Sequence, residues 1–349
     1  MTMRRWVPSV VGLVLLVLAL ALADQSLNNY YLRIAQLIGI YIVLTVSLNL
    51  PNGFTGDFSL GHAAFMAIGG YLAALLTMPL TSKKLQLAEA PGWLQDLVIP
   101  FPVATVLGGL LAAAVALPVG LVVLRLRGHY LAVATIGLLV VVQGIATNWQ
   151  GVTRGARGLS GLEQATNIWW AYGWAVVTVF VVWRLAYSPF GRGMVAVRDD
   201  ALAAASRGVK VFQTRLTAFV VSAFFAGVGG SLLAHQITAV SPSTYSFDVT
   251  FLIIIMLVIG GMGSVTGSVV GAVIMTIVPV VLRDMERDLD LVGASQLVIA
   301  AALIAFMIFR RQGLLGTHEL RPSTWFERKS AAAEPPAAGR SQAITEKSP

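Results

Sequence analysis

The sequence predicts an all-α polytopic membrane protein with about ten transmembrane helices, and three observations carry that prediction. Hydrophobic residues make up 57% of the 349, charged residues only 11%, and the mean hydropathy is +0.79. A soluble chain of this length would need about a quarter of its residues charged to keep its surface wet. Apolar runs of about helical spanning length recur from one end to the other, as a hydrocarbon core about 30 Å thick requires. The ionisable residues fall almost entirely between those runs.

Taken in order, the runs lie near 7–23, 31–50, 61–78, 101–124, 130–148, 169–186, 216–234, 249–262, 266–282 and 297–309. The first follows a basic start, "MTMRRW", and Ala21-Leu22-Ala23 before Asp24 resembles a signal-peptide cleavage site. About 17 apolar residues at 1.5 Å each span roughly 26 Å, more than a secretory signal uses, so a retained helix is favoured. The runs at 249–262 and 266–282 are parted only by "GGMGSVTG", which makes two tightly joined helices or one broken one, with eight or nine spans as the alternative counts. Residues 1–310 then form the membrane domain. Residues 311–349 form a tail that is rich in Pro, Ala, Ser and charge from about 321 onward and reads as disordered.

Lysine and arginine counts orient the spans. With the N-terminus in the cytoplasm, twelve basic residues fall inside: Arg4, Arg5, Arg125, Arg127, the six from Arg184 to Arg215, Arg310 and Arg311. Seven fall outside: Arg33, Lys83, Lys84, Arg154, Arg157, Arg283 and Arg287. The excess has the expected sign for both ends inside.

Several chemistries are excluded or disfavoured. The chain has no cysteine, which removes disulfide, thiolate and iron–sulfur chemistry. His62, His129, His235 and His318 are scattered without metal-ligand spacing, so no metal or cofactor is expected. The basic residues stand singly and form no nucleic-acid stripe despite a pI near 10.0. No phosphate-binding loop occurs, so any ATP hydrolysis belongs to another subunit and the chain is not an enzyme. Proton-driven secondary transport would place ionisable residues deep in several spans, and these interiors hold almost none.

Two glycine clusters lie at membrane depth. "NGFTGDFSLGHAAFMAIGGYLAALL" (52–76) carries Ser59, Gly61, His62, Gly69 and Gly70; "GGMGSVTGSVVGA" (260–272) carries Gly260, Gly261, Gly263, Gly267 and Gly271. Gly263, Gly267 and Gly271, spaced by four, would share one helical face and permit close helix approach. Packing and a translocation path are both open readings for these glycines. His62 is read either as a capping or interface residue or as part of the path.

The longest cytoplasmic connection, 187–215, contains "VAVRDDALAAASRGVKVFQTR" (195–215). Asp199 and Asp200 would complement the start of a short helix over Ala201 to Ser206, and Gly208 would end it. A partner-docking helix and a solvated connector both fit that pattern.

Five stretches resemble the LivM-type permease subunits of ATP-binding-cassette importers for branched-chain amino acids. They are "NLPNGFTGDFSLGHAAFMAIGGYLAALL" (49–76), "LRLRGHYLAVATIGLLVVVQGIATNW" (124–149) with "GARGLSGL" (155–162), "GRGMVAVRDDALAAASRGVKV" (191–211), "RLTAFVVSAFFAGVGGSLLAHQITAVSP" (215–242) and "MLVIGGMGSVTGSVVGAVI" (256–274). They cover roughly residues 30 to 310, in the family's order.

The resemblance implies that 188–215 is an ATPase-coupling loop, with Arg198, Asp199 and Asp200 opening it, Ala203 and Ala204 as its paired alanines, and Gly208 closing it. Ala201, Ala205 and Arg207 depart from the family's pattern, which puts the individual ion pairs with the ATPase in doubt. The implied assembly has two cytoplasmic ATPases that bind ATP and Mg, a second related permease or a second copy, and a periplasmic solute-binding protein. The implied place is the bacterial inner membrane, and the implied mechanism is alternating access. Relatives of this permease type are similar to importers of urea, short amides and aromatic acids, so the cargo stays open.

Overall fold

The computed structural model describes residues 7–87, 91–126, 128–289, 294–310 and 313–316. The chain divides into two units, residues 20–319 and residues 1–19 with 320–349. In the second unit, residues 7–19 are helical and belong to α1 (Val7–Ser26). The tail beyond residue 316 lies outside the described residues.

The larger unit is all-α apart from one two-residue strand pair. Its long helices are α2 (Asn29–Asn49), α3 (His62–Thr77), α6 (Phe101–Val123), α7 (His129–Asn148), α9 (Ile168–Ala186), α12 (Val211–Ile237), α13 (Phe247–Gly260), α14 (Val265–Leu289) and α15 (Ala294–Phe309). Short helices α4 (Leu80–Gln86), α5 (Gly92–Asp96), α8 (Gln150–Thr153), α10 (Pro189–Asp199) and α11 (Ala201–Ser206) occupy the connections. Each of the ten apolar runs is therefore helical. Seven helices among the described residues are long and apolar enough to cross a membrane, or eight if α3 and α4, bent by 113° at Met78-Pro79, make one broken span.

Burial separates centre from periphery. The spanning windows of α2 and α12 are each 72% buried, those of α6, α7 and α9 only 22–28%. The outer helices present Leu, Val, Ile and aromatic side chains outward, including Leu110, Val133, Val140 and Phe180. Such a surface is stable in hydrocarbon and unstable in water.

Alternating spans give the bundle two distinct ends. At one end meet the 55–61 connection, α10, α11, the α13–α14 turn and residues 313–316, whose Leu314 and Leu315 amides bond to the Ile259 and Gly260 carbonyls at the end of α13. At the other, β1 (Leu159–Ser160) pairs antiparallel with β2 (Ala239–Val240), joining the segments before α9 and after α12. There Lys83, counted on the outer side by the sequence pattern, is fully buried: its ammonium donates to the Leu94 carbonyl at 3.4 Å and to that of Leu97.

The structure corrects two expectations. The 187–215 connection is two consecutive helices that run almost directly into α12, because Ser188, accepting from the Gly191 amide at 3.2 Å, and Pro189 start a helix the pattern did not announce. Gly263 does not share a helical face with Gly267 and Gly271. It sits in the turn between α13 and α14 at φ +84°, a conformation that suits glycine.

Candidate functional site

The α10–α11 element is built by its caps. Asp200 precedes α11, and its carboxylate accepts from the Leu202 amide at 2.8 Å and the Ala203 amide at 3.1 Å. Gly208 follows Arg207 at φ +83°, and the Gly208 and Val209 amides donate back to Ala205 and Ala204 carbonyls, a left-handed helix stop. Asp199 is the last residue of α10, not the start of α11, and its carboxylate takes the Arg198 Nε–H at 3.2 Å. Ala204 is buried, whereas Leu202 is 77% exposed, an apolar side chain at the tip of the element.

Beside it α2 ends in a π-helical turn, Leu50–Phe54. Asn49, just before the turn, is buried with its amide fully used: Nδ2 donates to the Ser264 carbonyl at 2.9 Å and to Ser268 Oγ at 2.8 Å, and Oδ1 accepts from the Gly263 amide at 2.9 Å. Asn52 clasps the backbone of Ser59, donating to its carbonyl at 3.2 Å and accepting from its amide at 3.1 Å. Arg198 Nη1 reaches the Gly53 carbonyl at 3.1 Å.

Asp57, in the 55–61 connection, is buried and faces Arg215 of α12, with 3.3 Å between Oδ1 and Nε. That contact is a pairing of charges without hydrogen-bond alignment. Burial raises the Asp57 carboxyl to about 6, against the opposing pull of the Arg215 charge and the Thr55 hydroxyl.

Gly61 caps α3 against α7: a methyl group there would lie 2.7 Å from the Thr135 carbonyl oxygen, while Thr135 Oγ1 accepts the Leu60 amide at 2.9 Å. His62 is buried, its Nε2 3.2 Å from Ser47 Oγ of α2. Gly69 meets the backbone of Gly227 on α12, and a methyl on Gly108 of α6 would lie 2.7 Å from the Gly69 oxygen. Gly70 lies under Tyr245, whose hydroxyl donates to the Gly230 carbonyl at 2.7 Å. Gly260 and Gly267 face each other across α13 and α14, and Gly271 abuts Met256 and Gly260. Gly261 ends α13 at φ +118°.

Of the loop residues, Arg198 reaches toward both glycine-bearing stretches, touching Gly53 and Gly56 at the start of the first, ahead of Gly61, and Gly263 of the second. Sequence reasoning missed Asn49, Asn52, Gly53 and the Asp57–Arg215 pair. The signal was two amide side chains bracketing Pro51 at the end of an otherwise apolar run.

At the opposite end, Gln86, Gln150, Arg154 and Arg157 line a polar cleft of about 550 Å³, with Arg154 Nη1 donating to Gln86 Oε1 at 2.8 Å. Among the described residues no group of three or more His, Asp or Glu is arranged to hold a metal ion.

Comparison with known proteins places this architecture. The family of branched-chain amino acid transport system permease components matches residues 30–308. The high-affinity branched-chain amino acid transport system permease protein LivM of Escherichia coli is 31% identical over 81% of this chain and 69% of its own length. A probable branched-chain amino acid transport permease protein LivM of Methanocaldococcus jannaschii is 23% identical over 65% of this chain and 73% of its own. The L-arabinose ABC transporter permease protein AraH of Azospirillum brasilense is 27% identical over 64% and 70%. No solved structure matches the chain. With four-fifths of its length aligned and the family match running from α2 to α15, this multi-pass all-α membrane protein belongs to the branched-chain amino acid transport permease family.

Proposed function

We propose that this chain is the membrane-embedded permease subunit of an ATP-driven importer, that it lines the path for branched-chain amino acids, and that it works by alternating access. It carries no ATPase of its own. Two cytoplasmic ATPase subunits bind ATP and Mg, a second related permease or a second copy completes the path, and a periplasmic binding protein delivers the solute. The chain sits in the bacterial inner membrane with ten spans and both termini in the cytoplasm, an orientation supported by the basic-residue excess on the α10–α11 side.

The observation that carries this reading is the α11 helix. It is capped at both ends, joined to the spans through α10 and α12, and tipped by exposed Leu202. A rigid, capped element with an apolar side chain at its tip has the form that a groove on an ATPase would accept. ATP-driven closure of the ATPase pair needs only to favour one permease conformation over another.

The arabinose permease relative favours a second reading, the same machine with a different small organic cargo, such as a sugar, urea or a short amide. Secondary transport is disfavoured because the spans hold few ionisable residues. Asp200→Lys with Gly208→Pro removes both caps and tests the coupling reading. The expected outcome is loss of ATPase co-purification or of ATP-driven uptake in vesicles supplied with the binding protein. Normal assembly with normal uptake would refute it.

A further inference from the structure

We propose that Arg198 is the link through which movement of α11 reaches the spans, and that the parts it moves are the π-helical end of α2 and the α13–α14 turn. The inference rests on the coupling reading of α11 given above and adds the route by which that movement is passed on.

Arg198 lies two residues before Asp200, the cap of α11, so on the α10 side displacement of α11 is carried directly to Arg198. Its stem runs over Gly56, where a methyl would lie 2.8 Å from Arg198 Cγ and 3.4 Å from its Cβ. Its Nη1 donates to the Gly53 carbonyl at 3.1 Å, and a methyl on Gly263 would lie 2.8 Å from that same nitrogen. The guanidinium is therefore wedged between two segments of other helices, both reduced to glycine where it sits.

The Gly53 carbonyl is open to it for a local reason. The Asp57 amide, which would close an α-turn onto Gly53, donates to the Pro51 carbonyl at 2.9 Å instead. The π turn and the α13–α14 turn are in turn bolted together by Asn49, with its three bonds to Gly263, Ser264 and Ser268. A methyl on Gly53 would come within 2.9 Å of Asn49 Cγ and would also strike the Gly263 amide. Three backbones thus converge on one arginine and one asparagine.

This arrangement suits transmission. A guanidinium N–H donated to a carbonyl is a directional, charge-assisted bond, so a guanidinium pulled by α10 draws on its acceptor. The acceptor lies in a π turn, a less regular helical form often found at functional sites. Regaining α geometry there by one residue would rotate the chain beyond it by about 100°. That chain, residues 55–61, leads into Gly61 and His62 at the start of α3. The π turn is then the element whose switch to α geometry the proposal requires, since long-range communication needs an element with two arrangements.

The test uses the full complex, permease pair with ATPases, reconstituted in vesicles with the binding protein. Arg198→Met keeps the stem over Gly56 and removes the donors; Arg198→Lys keeps the charge and one donor group. The expected result for Arg198→Met is normal ATPase co-purification with the ATP hydrolysed per solute imported raised at least tenfold, and for Arg198→Lys a ratio between that and wild type. A wild-type ratio in Arg198→Met overturns the link. Loss of ATPase co-purification also overturns it, by making Arg198 a docking residue. If Arg198→Met does not accumulate in the membrane, Arg198→Gln is read by the same two criteria. The Asp200→Lys, Gly208→Pro double variant, measured in parallel, separates the two ideas: if it too is wild type the coupling reading fails, and if only the Arg198 variant is wild type the link alone fails.

Discussion

Gly227 offers the sharpest test of how the bundle is held together. It lies on α12 where that helix passes α3 and α6, and a methyl added there would meet Ala112 Cβ at 2.7 Å, the Gly108 oxygen at 2.8 Å and Gly109 Cα at 3.0 Å. Ordinary carbon contacts sit at about 3.5–4.0 Å, so α6 would have to retreat by roughly 0.7–1 Å. Two of the three obstacles are backbone atoms, which cannot swing aside. Overpacking of this kind costs about 1–3 kcal/mol. Gly137 on α7 is the matched control, because nothing lies within 4 Å of a methyl there. Gly137→Ala should be neutral or gain the roughly 0.5–1 kcal/mol by which alanine exceeds glycine inside a helix. The same chemical change should therefore differ by about 1–4 kcal/mol between the two sites. Thermal unfolding of the two detergent-solubilised variants measures it, with Gly227→Ala melting lower than wild type and Gly137→Ala not. Equal midpoints would mean that backbone contact between α12 and α6 does not limit stability.

Two further outcomes follow from the charges and the topology. The folded Asp57 carboxyl holds its proton up to about pH 6, whereas an unfolded one releases it near 3.8, so the folded state binds more protons between those values and loses stability as pH rises through that window. Wild type should lose about 2 kcal/mol relative to Asp57→Asn between pH 4 and pH 6.5 and run parallel to it above, as read from melting curves; parallel curves throughout would refute the burial argument. In this chain without cysteine, a single Ser188→Cys should resist an impermeant thiol reagent in intact cells, and Ser82→Cys should react once outer barriers are opened. Labelling of Ser188→Cys from outside would reverse the orientation.

What was legible in the sequence follows the range of the forces involved. The apolar runs and the caps of α11 act locally: Asp200 bonds amides two and three residues on, and Gly208 needs only its own φ, so both can be read from the string. Ser188-Pro189 was an equally local start signal for α10 that a loop reading overlooked. Gly263 was assigned to the wrong structure because a spacing of four continues a helical pattern whether or not the helix has begun. Asn49, Lys83 and the Asp57–Arg215 pair depend on partners tens to hundreds of residues away, and nothing adjacent to them in sequence names those partners.

The glycine contacts among α3, α6 and α12 have a bearing on how the molecule can move. Packed helices slide past one another in small steps when side chains between them exchange rotamers, and Gly69, Gly108 and Gly227 have no rotamers to exchange. A slip along this seam would push a bulkier neighbour into a space that admits only hydrogen. The three helices are consequently geared as one block, and the freedom that transport needs is left to the segments that hinge around it, among them the end of α2 and the turn between α13 and α14.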